Sequence, residues 1–148
     1  ITCSFTESSD LYSKKGALRG LHYQTEKAQA KLIHVISGVL FDVALDLREG
    51  SPTFGKYHTE LLKAEDQKVV FIPEGFAHGF IALSGNTIFS YQCSGEYVPN
   101  ACGGIRWDDP DLNIPWPLKE YGVDKVIATE KDKNWPNFEE YKVMHGIR

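Results

Sequence analysis

The sequence contains no apolar run approaching the roughly 20 residues that a helix needs to cross a bilayer, so no membrane partner is expected. Cysteine is scarce. Cys3, Cys93 and Cys102 make an odd count with no C-x-x-C spacing, which argues against a disulfide framework or a zinc knuckle and fits a reducing cytoplasm. Each thiol reads as a packing or incidental residue. Positive charge is in deficit: the formal net charge of -4 argues against a nucleic-acid footprint. An anionic ligand would need a local cluster of cations, not the whole surface. Ile1-Thr2-Cys3 has neither the basic start nor the apolar stretch of a secretory signal, and the chain opens without Met. No internal repeat, low-complexity segment or flexible linker divides the 148 residues, so one domain, 1–148, with a single core is expected. Pro115-Trp116-Pro117 reads as a rigid packed corner instead of a hinge.

What is present is strand-rich. Leu32 to Ile36 is a short apolar run stopped by the turn signal Ser37-Gly38. From Val39 to Leu47 the pattern alternates: Val39, Phe41, Val43, Leu45 and Leu47 share one apolar face, while Leu40, Asp42, Ala44 and Asp46 share a mixed one. Ser51-Pro52-Thr53 marks a loop. Tyr57 to Lys63 and Val69 to Ile72 read as strands around an Ala64-Glu65-Asp66 turn. Phe80 to Leu83 and Thr87 to Cys93 flank Ser84-Gly85-Asn86 and read as a hairpin. Long helical patterns are missing before residue 118; the best helix lies near Phe138 to Met144. Many short strands with turn signals between them point to an all-β sandwich or barrel.

Four stretches hold residue types that can do chemistry. In Arg19-Gly20-Leu21-His22-Tyr23-Gln24, His22 has an imidazole suited to act as a base near neutral pH. By pattern alone, a lone histidine in a strand is more often a hydrogen-bonded structural residue. Pro73-Glu74-Gly75-Phe76-Ala77-His78 has the spacing Pro-x-Gly-x-x-His, the second half of a cupin signature. Metal-binding cupins add a His-x-His pair and a Glu from an earlier strand, because a transition-metal site needs several converging ligands. No His-x-His occurs here, and His22, His34, His58, His78 and His145 are scattered, so no metal is expected. The bland reading of His78 is a buried histidine satisfied by a carboxylate such as Asp42. Tyr91 shares a strand face with Thr87, Phe89 and Cys93; its hydroxyl can donate a proton, but read alone it is a core aromatic. Glu130-Lys131-Asp132-Lys133 reads alone as a solvated charge run.

Together these stretches resemble the dTDP-4-dehydrorhamnose 3,5-epimerase family. The matching blocks are Gly16 to Gln24, Ala30-Lys31-Leu32, Phe41-Asp42-Val43, Ser51 to Gly55, Ile72 to Phe80 and Gly104 to Leu112. They run in the family's order from about Gly16 to Asp132, which is far more specific than any one motif. The resemblance implies a metal-free cupin, a β-jelly-roll with a short helical C-terminal tail, working in the cytoplasm as a homodimer without a cofactor. It implies that His22 is the general base, Asp132 the carboxylate that orients it, and Tyr91 the acid for the opposite face. It puts Arg19, Lys31, His78 and Lys131 at sugar- and phosphate-contacting positions and Tyr97 against the thymine ring, with Asp42 in support. The substrate would be a nucleotide-linked 4-keto-6-deoxyhexose, inverted at C3 and C5 or at C3 alone.

The residue types suit that chemistry. Hydrogens next to a C4 ketone are weakly acidic because the anion spreads onto oxygen. A His-Asp pair can remove one, the Asp fixing the tautomer and stabilising the imidazolium. Lys31 is the candidate partner of the enolate oxygen. Arg19 and Lys131 would supply the charge-assisted bonds that a diphosphate demands. The chain also departs from the family. The usual N-terminal lead, with its exchanged strand, is missing from this sequence; Glu7-Ser8-Ser9 stands for a Gln-Asp-Asn stretch, and Cys102 for a loop acid. A rival reading is a cupin that binds the sugar nucleotide without catalysis; a further one is a metal-dependent cupin enzyme, which metal analysis would reveal.

Overall fold

The computed structural model describes residues 1–148. Nine strands form two antiparallel sheets. They are β1 (Phe5–Ser13), β2 (Leu18–Gln24), β3 (Lys31–Ser37), β4 (Val39–Asp46), β5 (Tyr57–Lys63), β6 (Val69–Ile72), β7 (Phe76–Ala82), β8 (Thr87–Ser94) and β9 (Cys102–Gly104). The first sheet has the order β1-β8-β3-β6 and the second β5-β4-β7-β2-β9. Every link between consecutive strands except β4 to β5 crosses from one sheet to the other. That crossing pattern is the expected jelly-roll. Two short helices follow, α1 (Glu130–Lys133) and α2 (Phe138–Met144), the second with the expected bounds.

The alternation along β4 is real, but both faces are buried. Leu40 and Ala44 point between the sheets and join Ile33, Val35, Leu62, Ile72, Phe80 and Phe89 in one core cluster. Phe41, Val43 and Leu45 point the other way. They pack under the C-terminal segment with Ile105, Leu112, Ile114, Phe138 and Tyr141 in a second cluster. The segment after β9 therefore acts as a third layer, braced within itself by Trp116 Nε1 donating to the Trp107 carbonyl at 2.8 Å. Each fully buried aliphatic side chain contributes about 1.5–3 kcal/mol.

The hairpin expected around Ser84-Gly85-Asn86 does not form. β7 is already flanked by β4 and β2, and β8 by β1 and β3, so neither has a free edge for the other. The turn instead carries the chain between sheets, and its side chains serve β4: Ser84 Oγ accepts from Val39 N at 3.0 Å, and Thr87 Oγ1 donates to Val39 O at 3.2 Å. The Ala64-Glu65-Asp66 turn is one turn of 3₁₀ helix.

A register shift in β2 positions the site. Arg19 pairs with Phe80 and His22 with His78, so three steps on β2 match two on β7. This bulge turns Arg19 and His22 to the same face. Gly20 sits within it at φ 110°, where an added Cβ would lie 2.6 Å from the His78 carbonyl oxygen. Only glycine fits so close to β7.

Candidate active site

One cavity of about 520 Å³ opens between the sheets, at the end left free by the inter-sheet cluster. That volume is in the range of small-molecule sites. Its walls include Arg19, His22, Lys31, Tyr91, Lys131 and Asp132.

On the second sheet's wall, His22 Nε2 meets Asp132 Oδ1 at 2.5 Å. The Asp132 side chain is 3% exposed and that of His22 38%, so the carboxylate is shut in while the imidazole faces the cavity. Asp132 comes from α1, whose N-cap Thr129 accepts from the Asp132 backbone N–H at 3.1 Å. Trp135 Nε1 also donates to Asp132 Oδ1, at 2.9 Å, and Gly20 N–H to Oδ2, at 3.4 Å. Burial alone would push the Asp132 carboxyl up. The bonds from His22, Trp135 and Gly20 outweigh it and hold the group below the usual carboxylate range.

The first sheet supplies the facing wall. β3 and β8 pair Lys31 with Cys93 and Ile33 with Tyr91. Lys31 is buried, and desolvation lowers its pKa despite the counter-pull of Cys93 and Asp42. Its ammonium lies 5.8 Å from the centre of the Tyr91 ring. Burial, then a bond with Cys93, pushes the Tyr91 phenol far above its ordinary value, so it stays protonated at neutral pH. Behind Tyr91, the His78 ring stacks at 6.1 Å between centroids, and His78 Nε2 bonds Asp42 Oδ1 at 2.6 Å. Desolvation lowers the His78 pKa and outweighs Asp42. No three His, Cys, Asp or Glu side chains converge as metal ligands.

A proton acceptor on one wall and a proton donor on the other, with a buried ammonium beside the donor, suit a reaction that takes a proton from one face of a carbon and returns it to the other. The family model for dTDP-4-dehydrorhamnose 3,5-epimerase matches residues 1–140. The chain belongs to this family. A dTDP-4-dehydrorhamnose 3,5-epimerase of Methanothermobacter thermautotrophicus is 49% identical over 139 residues, covering 94% of this chain and 74% of that protein. Among solved structures, the Legionella pneumophila dTDP-6-deoxy-D-glucose-3,5-epimerase in complex with dTDP-4-keto-L-rhamnose aligns with a TM-score of 0.88 at 42% identity, covering 94% of this chain and 72% of that one. A 3'-monoepimerase of Streptomyces bikiniensis in complex with dTDP-quinovose aligns at 0.87 and 30% identity, covering 97% and 71%. Membership of an epimerase family makes this chain an isomerase.

Seven of the candidates line this cavity: Arg19, His22, Lys31, Tyr91, Tyr97, Lys131 and Asp132. Tyr97 is 55% exposed at the rim, and Cys102 raises the pKa of its phenol. His78 and Asp42 are not in the lining; they stand behind Tyr91, paired as the bland reading of His78 expected. The departures from the family pattern, Glu7 and Cys102, both face the cavity. Trp135 and Gln29 were not anticipated from sequence. Gln29 Nε2 is buried without a partner in the cavity wall, a donor that a ligand oxygen would satisfy. Neither carries a local signal: an amide before Ala30-Lys31 and a tryptophan after a charge run look like surface residues.

Proposed function

We propose that this epimerase inverts C3 and C5 of a nucleotide-linked 4-keto-6-deoxyhexose, converting dTDP-4-dehydro-6-deoxy-D-glucose to dTDP-4-dehydro-L-rhamnose. The observation that carries the reading is the His22–Asp132 pair facing Lys31 and Tyr91 across one cavity. His22 removes the proton next to the C4 ketone, and Asp132 holds its tautomer and stabilises the imidazolium. Lys31 donates a hydrogen bond to the enolate oxygen. At one carbon Tyr91 gives its proton to the opposite face, and at the other water does. The Tyr91 proton is then restored from solvent, and His22 releases the one it took, so each inversion exchanges one carbon-bound hydrogen. Arg19 and Lys131 pair with the diphosphate, and Tyr97 stacks on the thymine. His78, bound to Asp42, backs the Tyr91 ring. One domain and a homodimer belong to the same reading; β1, an edge strand with Leu11 and Tyr12 exposed, supports a protein partner there.

The test is NMR of the 4-keto-6-deoxyglucose nucleotide with this protein in deuterated water. Deuterium is expected at both C3 and C5. Label at C3 alone would make it a 3-epimerase, and binding without exchange would make it a non-catalytic binder. His22→Ala should abolish exchange at both carbons; exchange at the wild-type rate would remove His22 from the role of base.

A further inference from the structure

We propose that Trp135 is a positioning residue of this reaction, acting through Asp132 on His22; the inference rests on the reading of His22–Asp132 as the basic pair. A carboxylate that meets an imidazole through one oxygen is still free to turn about its own axis. Trp135 Nε1 donates at 2.9 Å to Asp132 Oδ1, the same oxygen that His22 engages. The remaining side of the group has only the longer contact from Gly20 N–H, 3.4 Å to Oδ2. The indole is also edge-on to the imidazole, with centroids 6.0 Å apart and planes at 76°. One side chain thus restrains both members of the pair.

The fold makes room for it. Gly104 of β9 lies against the indole, and an added Cβ there would come within 2.3 Å of Cε2. Gly104 also pairs with His22 across the β2–β9 ladder, so the strand that seats the indole is bonded to the strand that carries the base. On the cavity side, the Lys131 ammonium lies 5.5 Å from the ring centre.

The N–H has an electrostatic consequence besides the geometric one. Donation to Oδ1 withdraws charge from the oxygen that faces His22. With that donor gone, Oδ1 keeps His22 as its one partner and the carboxylate is free to turn.

The decisive variant replaces Trp135 alone with 3-benzothienylalanine, in which sulfur stands for the N–H and the ring shape is kept. Trp135→Phe is the simpler companion. We expect kcat to fall roughly tenfold or more with KM within about twofold. A benzothienyl variant that matches the wild type in kcat would overturn the inference, leaving the indole a packing group. His22→Ala run in parallel separates the two readings. If it keeps deuterium exchange, the basic pair and this inference fall together. If it loses exchange while the benzothienyl variant is unaltered, only the role of Trp135 falls.

Discussion

Tyr91 stacks on the His78 ring, and burial keeps its phenol protonated. A protonated phenol on the wall opposite His22 is suited to deliver a proton, not to remove one. Tyr91→Phe is therefore expected to spare the first step and weaken delivery at one carbon, lowering turnover roughly 10²–10⁴-fold and enriching singly inverted sugar. Product ratios unchanged by NMR would count against that role. At this scale the sequence was legible unevenly. His22 stood out as an imidazole suited to act as a base and His78 through the spacing Pro-x-Gly-x-x-His, and the Asp42 partner of His78 was readable because a buried imidazole needs an acceptor. Asp132 and Tyr91 were visible only through the family resemblance, since a charge run and a strand tyrosine have locally ordinary roles. Their function depends on partners distant in the chain: Asp132 bonds His22, 110 residues away, at 2.5 Å.

At the scale of elements, Asp109 ties the third layer together. Its Oδ1 accepts from Asp111 N at 2.7 Å and its Oδ2 from Phe138 N at 2.6 Å, so a buried carboxylate joins the Trp107-Asp108-Asp109-Pro110 block to the start of α2. Asp109→Ala leaves those N–H groups without an acceptor. The expected cost is about 2–4 kcal/mol, a fall in Tm of roughly 5–15 °C in a thermal melt; a fall of a degree or less would show that solvent replaces the carboxylate. β3 to β6 and α2 were readable because their periodicity is local. β1 was missed because Phe5–Ser13 is mostly polar and exposed, an edge strand with no apolar face of its own. The false hairpin has the same origin. A short polar turn looks alike whether it folds a strand back or carries it to another sheet, and the choice is made by which edges distant strands have already taken.

For the whole molecule, acid sensitivity follows from carboxylates held low in the fold. The Asp46 carboxyl is pulled well below the usual range by Arg48 first, then by Thr53 and Ser51 against the opposing effect of its burial, and Asp132 is held low as described. A carboxylate depressed on folding stabilises the native state above its unfolded pKa and loses that contribution as pH falls through its lower, folded value. Thermal melts should therefore be flat from neutral pH to about pH 5 and drop progressively below about pH 4. A Tm still level at pH 3 would contradict the ionised state of both groups. No helix is long and apolar enough to cross a membrane.

The crossing links between the sheets also act as a fixed jaw. Stacked sheets stand about 10 Å apart, which leaves room between facing side chains for one pyranose ring and little more. The sheets cannot part to widen that gap, because nearly every strand is tied to the opposite sheet by the next stretch of chain. His22 hangs from one jaw and Tyr91 from the other. In the proposed reaction a ring carbon set between them loses hydrogen downward and regains it from above, so the handedness of the product is decided by which strand lies in which sheet.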